Sequence, residues 1–230
     1  MNIALILSGG TGVRFGADIP KQYLRIQNRM LISWTIKAVW DSGDFDALQI
    51  VAAEAWRDSI RKELPVSCVM KGFSSPGDTR QGSILNGLLD IAGYAAPEDK
   101  VLIHDAARPF VSKDLIDACF AALSGHDGVM PVLPMTDTVY YSESGSSVER
   151  LLPRAALFAG QAPELFRLGQ YLDANKRLTH EQLRQFNGTS EPAVLAGLDV
   201  VMIPGSRQNF KITTREDWER CRELLSKTGQ

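Results

Sequence analysis

Two rhythms of apolar and polar positions alternate along this chain. Short apolar runs fall at Ile3–Leu7, Leu48–Ala53, Val66–Met70, Val101–His104 and Gly128–Leu133. Runs of that length with no polar face predict strands buried on both sides. Between them apolar residues recur at three- and four-residue spacing. This predicts helices over Met30–Trp40, Trp56–Leu64, Gly82–Ala92 and Lys113–Ser124, with a closing helix at Glu216–Leu225. Strand–helix alternation means parallel strands joined by right-handed crossovers, so the expected class is α/β with a doubly wound, mostly parallel open sheet. Ligands bind such sheets beyond the carboxyl ends of the strands. That rule gathers the loops after Leu7, Met70 and Ile103 into one crevice.

One stretch breaks the rhythm. Thr138–Val148 carries β-formers on both sides of a Ser/Gly turn and reads as a hairpin. It is too short and too polar to fold alone. It is expected to project as an arm and pack against something, a partner subunit being the natural candidate.

Composition narrows the class. The chain has 230 residues, of which 44% are hydrophobic and 23% charged, enough for one large α/β domain or two small ones. A formal net charge of −2 argues against a general nucleic-acid or membrane surface. Cys68, Cys119 and Cys221 are far apart, with no C-x-x-C pair, which points to a reducing compartment. The first apolar run is too short for a signal or a membrane span and lacks a basic leader, so a cytoplasmic protein is expected.

The first candidate chemistry follows the first strand. Ser8-Gly9-Gly10-Thr11-Gly12 is succeeded by Arg14 and Lys21. A strand running into a glycine turn brings backbone N–H groups up to a phosphate, and the two cations add charge over the same place. Taken alone, the turn is equally an ordinary β-turn with surface cations. A dinucleotide G-x-G-x-x-G is absent, because Phe15 and Thr11 stand where glycines are needed, which argues against a nicotinamide-dependent dehydrogenase. A P-loop is absent too, since Arg14 and Phe15 occupy the Gly-Lys positions. What remains is G-G-x-G-x-R-x-G followed by Pro20-Lys21-Gln22, which resembles the opening signature of the sugar-phosphate nucleotidyltransferases.

The second signal is His104-Asp105-Ala106-Ala107-Arg108-Pro109, directly after a strand. Asp105 there either holds Mg²⁺ or orients an acceptor hydroxyl, while Arg108 forks onto a phosphate. The bland alternative is that Asp105 caps the next turn and pairs with Arg108. With this motif the chain resembles the cytidylyltransferases that make CDP-methylerythritol and CDP-ribitol. Gly77-Asp78-Thr79-Arg80-Gln81-Gly82-Ser83 looks like that family's G-x-x-R-x-x-S segment. Thr136-Asp137-Thr138, Arg154 with the segment through Pro163, and Asn209-Phe210-Lys211-Ile212-Thr213 match further motifs in order along nearly the whole chain.

The resemblance implies a Rossmann-like nucleotidyltransferase forming a single domain over 1–230, with a dimerisation arm at about 138–160. It implies transfer of CMP from CTP to a polyol phosphate, with Mg²⁺ and release of diphosphate. Arg14, Lys21 and Lys211 are then the catalytic cations. Ser8, Gly9, Gly10, Gly12, Gly77, Asp78 and Ser83 form the nucleotide side. Asp105, Arg108, Asp137, Arg154 and Asn187 form the acceptor side, with Asp105 also the metal ligand and Arg154 reaching the site of the other subunit in a homodimer. An acceptor phosphate is already ionised near neutral pH, so no strong base is needed. His104 is accordingly expected to be a structural hydrogen-bond donor, and His126 and His180 to face solvent.

Departures cluster on the acceptor side. Ala162 replaces the family's threonine before proline, and Asn187 falls where another threonine holds the acceptor phosphate. Methylerythritol 4-phosphate is the default acceptor. Ribitol 5-phosphate, or another polyol or sugar phosphate for a surface polymer, is the rival, and a non-turning nucleotide-binding paralogue is the alternative of another class.

Overall fold

The apolar runs form the centre of the molecule. The computed structural model describes residues 1–10, 19–42 and 45–228. In chain order the elements are β1 (Asn2–Leu7), β2 (Arg25–Ile26), β3 (Arg29–Met30), α1 (Leu31–Trp40), β4 (Ala47–Val51), α2 (Glu54–Lys62), β5 (Met70–Ser74), α3 (Arg80–Ile91), β6 (Lys100–Asp105) and α4 (Lys113–Ala122). There follow β7 (Gly128–Pro134), β8 (Val139–Tyr141), β9 (Arg150–Leu152), β10 (Phe158–Gly160), β11 (Glu164–Arg167), α5 (Leu168–Lys176), α6 (His180–Gln185), α7 (Glu191–Leu195), β12 (Val200–Pro204) and α8 (Arg215–Thr228).

The main sheet runs β10-β7-β11-β6-β1-β4-β5, with β12 also on β7. β1 is its parallel centre. Leu7 pairs with Val51 on one side and with Asp105 on the other, so three strands end level with one another. Successive side chains of β1 point to opposite faces. Ala4 and Ile6 pack with Ile32 and Ile36 of α1 and Ile116 of α4. Ile3 and Leu5 pack with Ile84 and Leu88 of α3 and Tyr171 of α5. Both faces are therefore dry, which is why β1 reads as an unbroken apolar run, and the doubly wound, mostly parallel sheet is as expected.

Three features differ from the sequence pattern. The third strand is Met70–Ser74, not Val66–Met70, and Val66 is fully exposed. β5 is an edge strand with a weak apolar pattern, and the Cys68 N–H closes a turn on the Pro65 carbonyl ahead of it. The chain also returns through β10 and β11, which run antiparallel to β7, whereas β12 runs parallel to it. These three- to five-residue strands are too short to announce themselves by periodicity. The hairpin is present as a separate two-stranded sheet, but its second strand is Arg150–Leu152, and the serine-rich turn extends past Val148.

Helix α5 is fastened by stacking. Phe166 of β11 lies 4.0 Å, centroid to centroid, from Tyr171, and both are buried. Gly128 makes room for that ring, since a Cβ there would sit 2.5 Å from Phe166 Cδ1. Phe166→Ala is expected to cost about 3–5 kcal/mol of stability. Urea denaturation monitored by circular dichroism measures this, and a loss below about 1 kcal/mol would contradict the packing described.

Candidate active site

Level strand ends place the first and third loops of the crevice side by side. Between them lies a cavity of about 420 Å³, a size suited to a small-molecule ligand. One wall is the glycine turn after β1. Gly9 packs so closely that a Cβ would meet Pro76 Cβ at 2.8 Å. The turn is fixed from behind by Gln22, whose amide donates to the Ser8 carbonyl at 2.9 Å and to the Gly10 carbonyl at 2.6 Å. Tyr23 donates to the Ser8 carbonyl at 2.9 Å and accepts from the Ser8 hydroxyl at 3.0 Å. Ser8 is thus buried against Tyr23 and does not line the cavity.

The facing wall is the start of α3. Thr79 caps the helix by accepting from the Gly82 N–H at 3.0 Å. Ser83 Oγ accepts from the Gly77 N–H and donates to the Thr79 carbonyl, each at 3.0 Å. A Cβ at Gly77 would lie 2.5 Å from the Gly82 carbonyl carbon and 2.8 Å from the Ser83 nitrogen, both backbone atoms. Only glycine closes this turn against its own helix.

The floor is electrostatic. Asp105 ends β6, and its Oδ1 lies 3.2 Å from Arg80 Nη2. Its Oδ2 lies 3.0 Å from Lys211 Nζ and 3.4 Å from Arg108 Nε. Burial alone would raise the Asp105 carboxyl, but Arg80, Lys211 and Arg108 outweigh it and hold it well below the usual carboxylate range. Just behind, His104 is fully buried with Nε2 3.0 Å from the Arg108 carbonyl. Burial pushes its pKa down to about 4, against the opposing pull of that carbonyl and of Asp105. The ring is neutral near pH 7 and donates to the carbonyl, a structural role.

Lys211 is positioned by its neighbours. Asn209 Nδ2 donates to the Ala162 carbonyl at 2.6 Å, and the Ile212 N–H donates to the Ala107 carbonyl at 2.9 Å. Gln161 Nε2 holds the Ser206 carbonyl at 3.0 Å. The break between β10 and β11 is therefore what anchors the lysine-bearing loop.

The cavity brings together Gly9, Gly10, Lys21, Gly77, Asp78, Ser83, Asp105 and Lys211 from the expected set. Gly12 and Arg14 lie outside the described residues. Arg108 is drawn away from it, donating through Nη1 to the Asn209 carbonyl at 2.7 Å. Asp137 and Arg154 belong to the arm region, where Arg154 donates to the Thr136 carbonyl at 2.6 Å. Asn187 is exposed, and its amide donates to the Gln185 carbonyl at 2.9 Å. Two residues on, buried Thr189 instead accepts from Arg80 Nη2 at 2.8 Å. Among the described residues no group of three His, Cys, Asp or Glu side chains could hold a metal. Asp105 meets Arg80 through Oδ1 and Lys211 and Arg108 through Oδ2.

Sequence reasoning gave no role to Gln22, Arg80, Gln161, Thr189 or Asn209. Arg80 could have been found, being a cation between the two loop residues that touch at Gly77 and Ser83. Thr189 carries no local signal.

The sequence profile described as IspD: 2-C-methyl-D-erythritol 4-phosphate cytidylyltransferase matches residues 2–227. The chain belongs to the IspD family. It is 34% identical over 229 residues to the 2-C-methyl-D-erythritol 4-phosphate cytidylyltransferase of Chromobacterium violaceum, covering 97% of each chain. It is 33% identical over 231 residues to the bifunctional enzyme IspD/IspF of Paramagnetospirillum magneticum, covering 99% of this chain and 58% of that one. The IspD-like chain thus spans a little over half the length of its bifunctional relatives. A crystal structure of a 4-diphosphocytidyl-2C-methyl-D-erythritol synthase shares the fold with a TM-score of 0.81 at 23% identity, covering 97% of this chain and 98% of that one.

Two outcomes follow for this IspD-family site. Gly77→Ala forces backbone against backbone, so stability in urea melts should fall by about 1–3 kcal/mol. For His104, the unfolded chain takes a proton near pH 6.5, but the folded chain only near pH 4. Its contribution is present above pH 6.5 and is lost as pH falls towards 4, by about 3 kcal/mol. In urea melts, the stability difference between wild type and His104→Gln should shrink by about that amount between about pH 7 and about pH 4.

Proposed function

We propose that this chain transfers CMP from CTP to 2-C-methyl-D-erythritol 4-phosphate and releases diphosphate. The observation that supports this most is the convergence of Lys21 and Lys211 with two close-packed glycine loops around one cavity. An acceptor phosphate oxygen attacks the α-phosphorus of CTP, a P–O bond forms there, and the bond to the β-phosphate oxygen breaks. Nucleophile and electrophile are both anionic, so positioning and charge screening carry the reaction. Lys21 and Arg14 sit on the triphosphate and Lys211 on the α-phosphate in this reading. Mg²⁺ would add charge neutralisation on the phosphates. In this reading Asp105 is the side chain at the cavity that would help hold it beside the phosphates.

In this reading Gly9, Gly77 and Ser83 present close-packed loop backbone to the cytosine base. The acceptor follows the printed activity of the full-length relatives. No helix of the described residues is long and apolar enough to cross a membrane.

The arm is proposed to clasp a second copy of the chain, making a homodimer of single-domain subunits. Tyr140 and Leu151 expose more than half their surface on it, an apolar face that a partner would cover. Arg154 and Asp137 would then reach the acceptor site of the neighbouring subunit. Tyr140→Ser with Leu151→Ser should convert the dimer to monomers in sedimentation velocity. A double variant that sediments like the wild type would refute the arm as the contact.

Diphosphate release from CTP and Mg²⁺ is the test of the reaction, with methylerythritol 4-phosphate and ribitol 5-phosphate as acceptors. Release with the first is expected. Release only with ribitol 5-phosphate would overturn the acceptor and point to Ala162 and Asn187, neither of which offers a hydroxyl. Lys211→Met should lower kcat by about a hundredfold or more while preserving the cooperative melt.

A further inference from the structure

Arg80 stands where the two walls of the cavity meet. It is the first residue of α3, so its backbone belongs to the loop at Gly77–Ser83. Its side chain crosses to the floor, where Nη2 reaches Asp105 Oδ1 at 3.2 Å and Thr189 Oγ1 at 2.8 Å. Its Nη1 is buried without a hydrogen-bond partner among the described residues. Behind it lies Glu164 of β11, also buried, whose carboxyl faces the hydroxyls of Ser190 and Thr189. Arg80 is therefore built into the rear wall on one side and open to the cavity on the other.

The division of labour at Asp105 gives this a consequence. Lys211 and Arg108 share Oδ2, and the contact to Oδ1 comes from Arg80. Counting Arg80, Arg108 and Lys211 against Asp105 leaves two positive charges in excess, and one when the Glu164 carboxylate behind Arg80 is counted as well. A carboxylate divided among three cations holds each of them more weakly than it would hold two. A lysine gripped by its own protein cannot follow charge onto a pentacoordinate phosphorus.

We propose that Arg80 is a positioning residue for the transfer: by occupying Oδ1 of Asp105 it limits Lys211 to its single contact with Oδ2, and so leaves the lysine's other N–H donors to the transferred phosphate. This deepens the cytidylyl-transfer reading and rests on it. Without Arg80 the Asp105 carboxylate is free to rotate and to turn its second oxygen onto Lys211 as well. The loss then falls on the chemical step, because the loop and its glycines still receive the nucleotide.

The test compares Arg80→Met and Arg80→Lys with wild type in steady-state diphosphate release. In Arg80→Met, kcat should fall about tenfold or more with the KM for CTP within about threefold, and Arg80→Lys should recover most of the lost kcat. An Arg80→Met enzyme with kcat within about twofold of wild type overturns the proposal, as does Arg80→Lys performing no better than Arg80→Met. Should Arg80→Met fail to fold, Thr189→Val removes the hydroxyl that seats Arg80, and an unchanged kcat there overturns it equally. A second readout needs no turnover: acetylation of Lys211 by acetic anhydride, followed by mass spectrometry. Lys211 should label more slowly in Arg80→Met, because both Asp105 oxygens are then open to it. Equal labelling rates count against the proposal. If wild type releases no diphosphate with either acceptor, the transfer reading fails, while the labelling experiment still decides the wiring of Asp105.

Discussion

One buried carboxylate organises the site. Asp105 closes β6 and is met by Arg80 from α3, by Lys211 from the segment before α8 and by Arg108 from its own turn. Those contacts bring three stretches of chain to one point. Breaking such a buried set by removing one member generally costs about 3–5 kcal/mol, because a charge is left uncompensated. The arrangement is stable only while all its partners are present, yet it carries more positive charge than it needs for itself. That surplus is what an anionic substrate would meet. The cavity is in this sense prepared for phosphates before any arrive, at some expense in self-repulsion.

Packing explains why the charges can be so close without the site collapsing. The sheet beneath is dry on both faces, with Ile3 and Leu5 on one side and Ala4 and Ile6 on the other. Rigid strands end level, so the loops start from fixed points. Each loop is then locked by contacts that permit no side chain, at Gly9 against the Pro76 ring and at Gly77 against the Gly82 backbone. Hydrogen bonds from Gln22 and Ser83 finish both turns. The mobile part of the chemistry is confined to the long cations, whose stems reach in from three directions.

The acceptor side is organised differently. Arg108 and Asn209 brace each other, and Ala162 contributes its carbonyl rather than a hydroxyl. Asn187 turns away, while Thr189 supplies the buried hydroxyl beside Arg80. The side proposed for the acceptor is accordingly sparse in a single chain.

The sequence by itself determined the parallel core, the two glycine loops that meet at the cavity and the family. Those features are local: an apolar run dry on both faces, a glycine turn, a strand-end His-Asp pair and the segment around Lys211 each lie within a few consecutive residues. It also placed a hairpin near residue 140, though not the length of its turn. Only the tertiary structure decided the rest. The antiparallel return through β10 and β11 rests on strands of three and four residues, too short for a period to show. The third strand moved to Met70–Ser74 because an edge strand needs little apolar character, and apolar Val66 was left in solvent. Gln161 and Asn209 act by holding distant backbone carbonyls, and Thr189 by accepting from Arg80, 109 positions away. Such pairings depend on where the sheet delivers its ends, and no neighbouring residue records them.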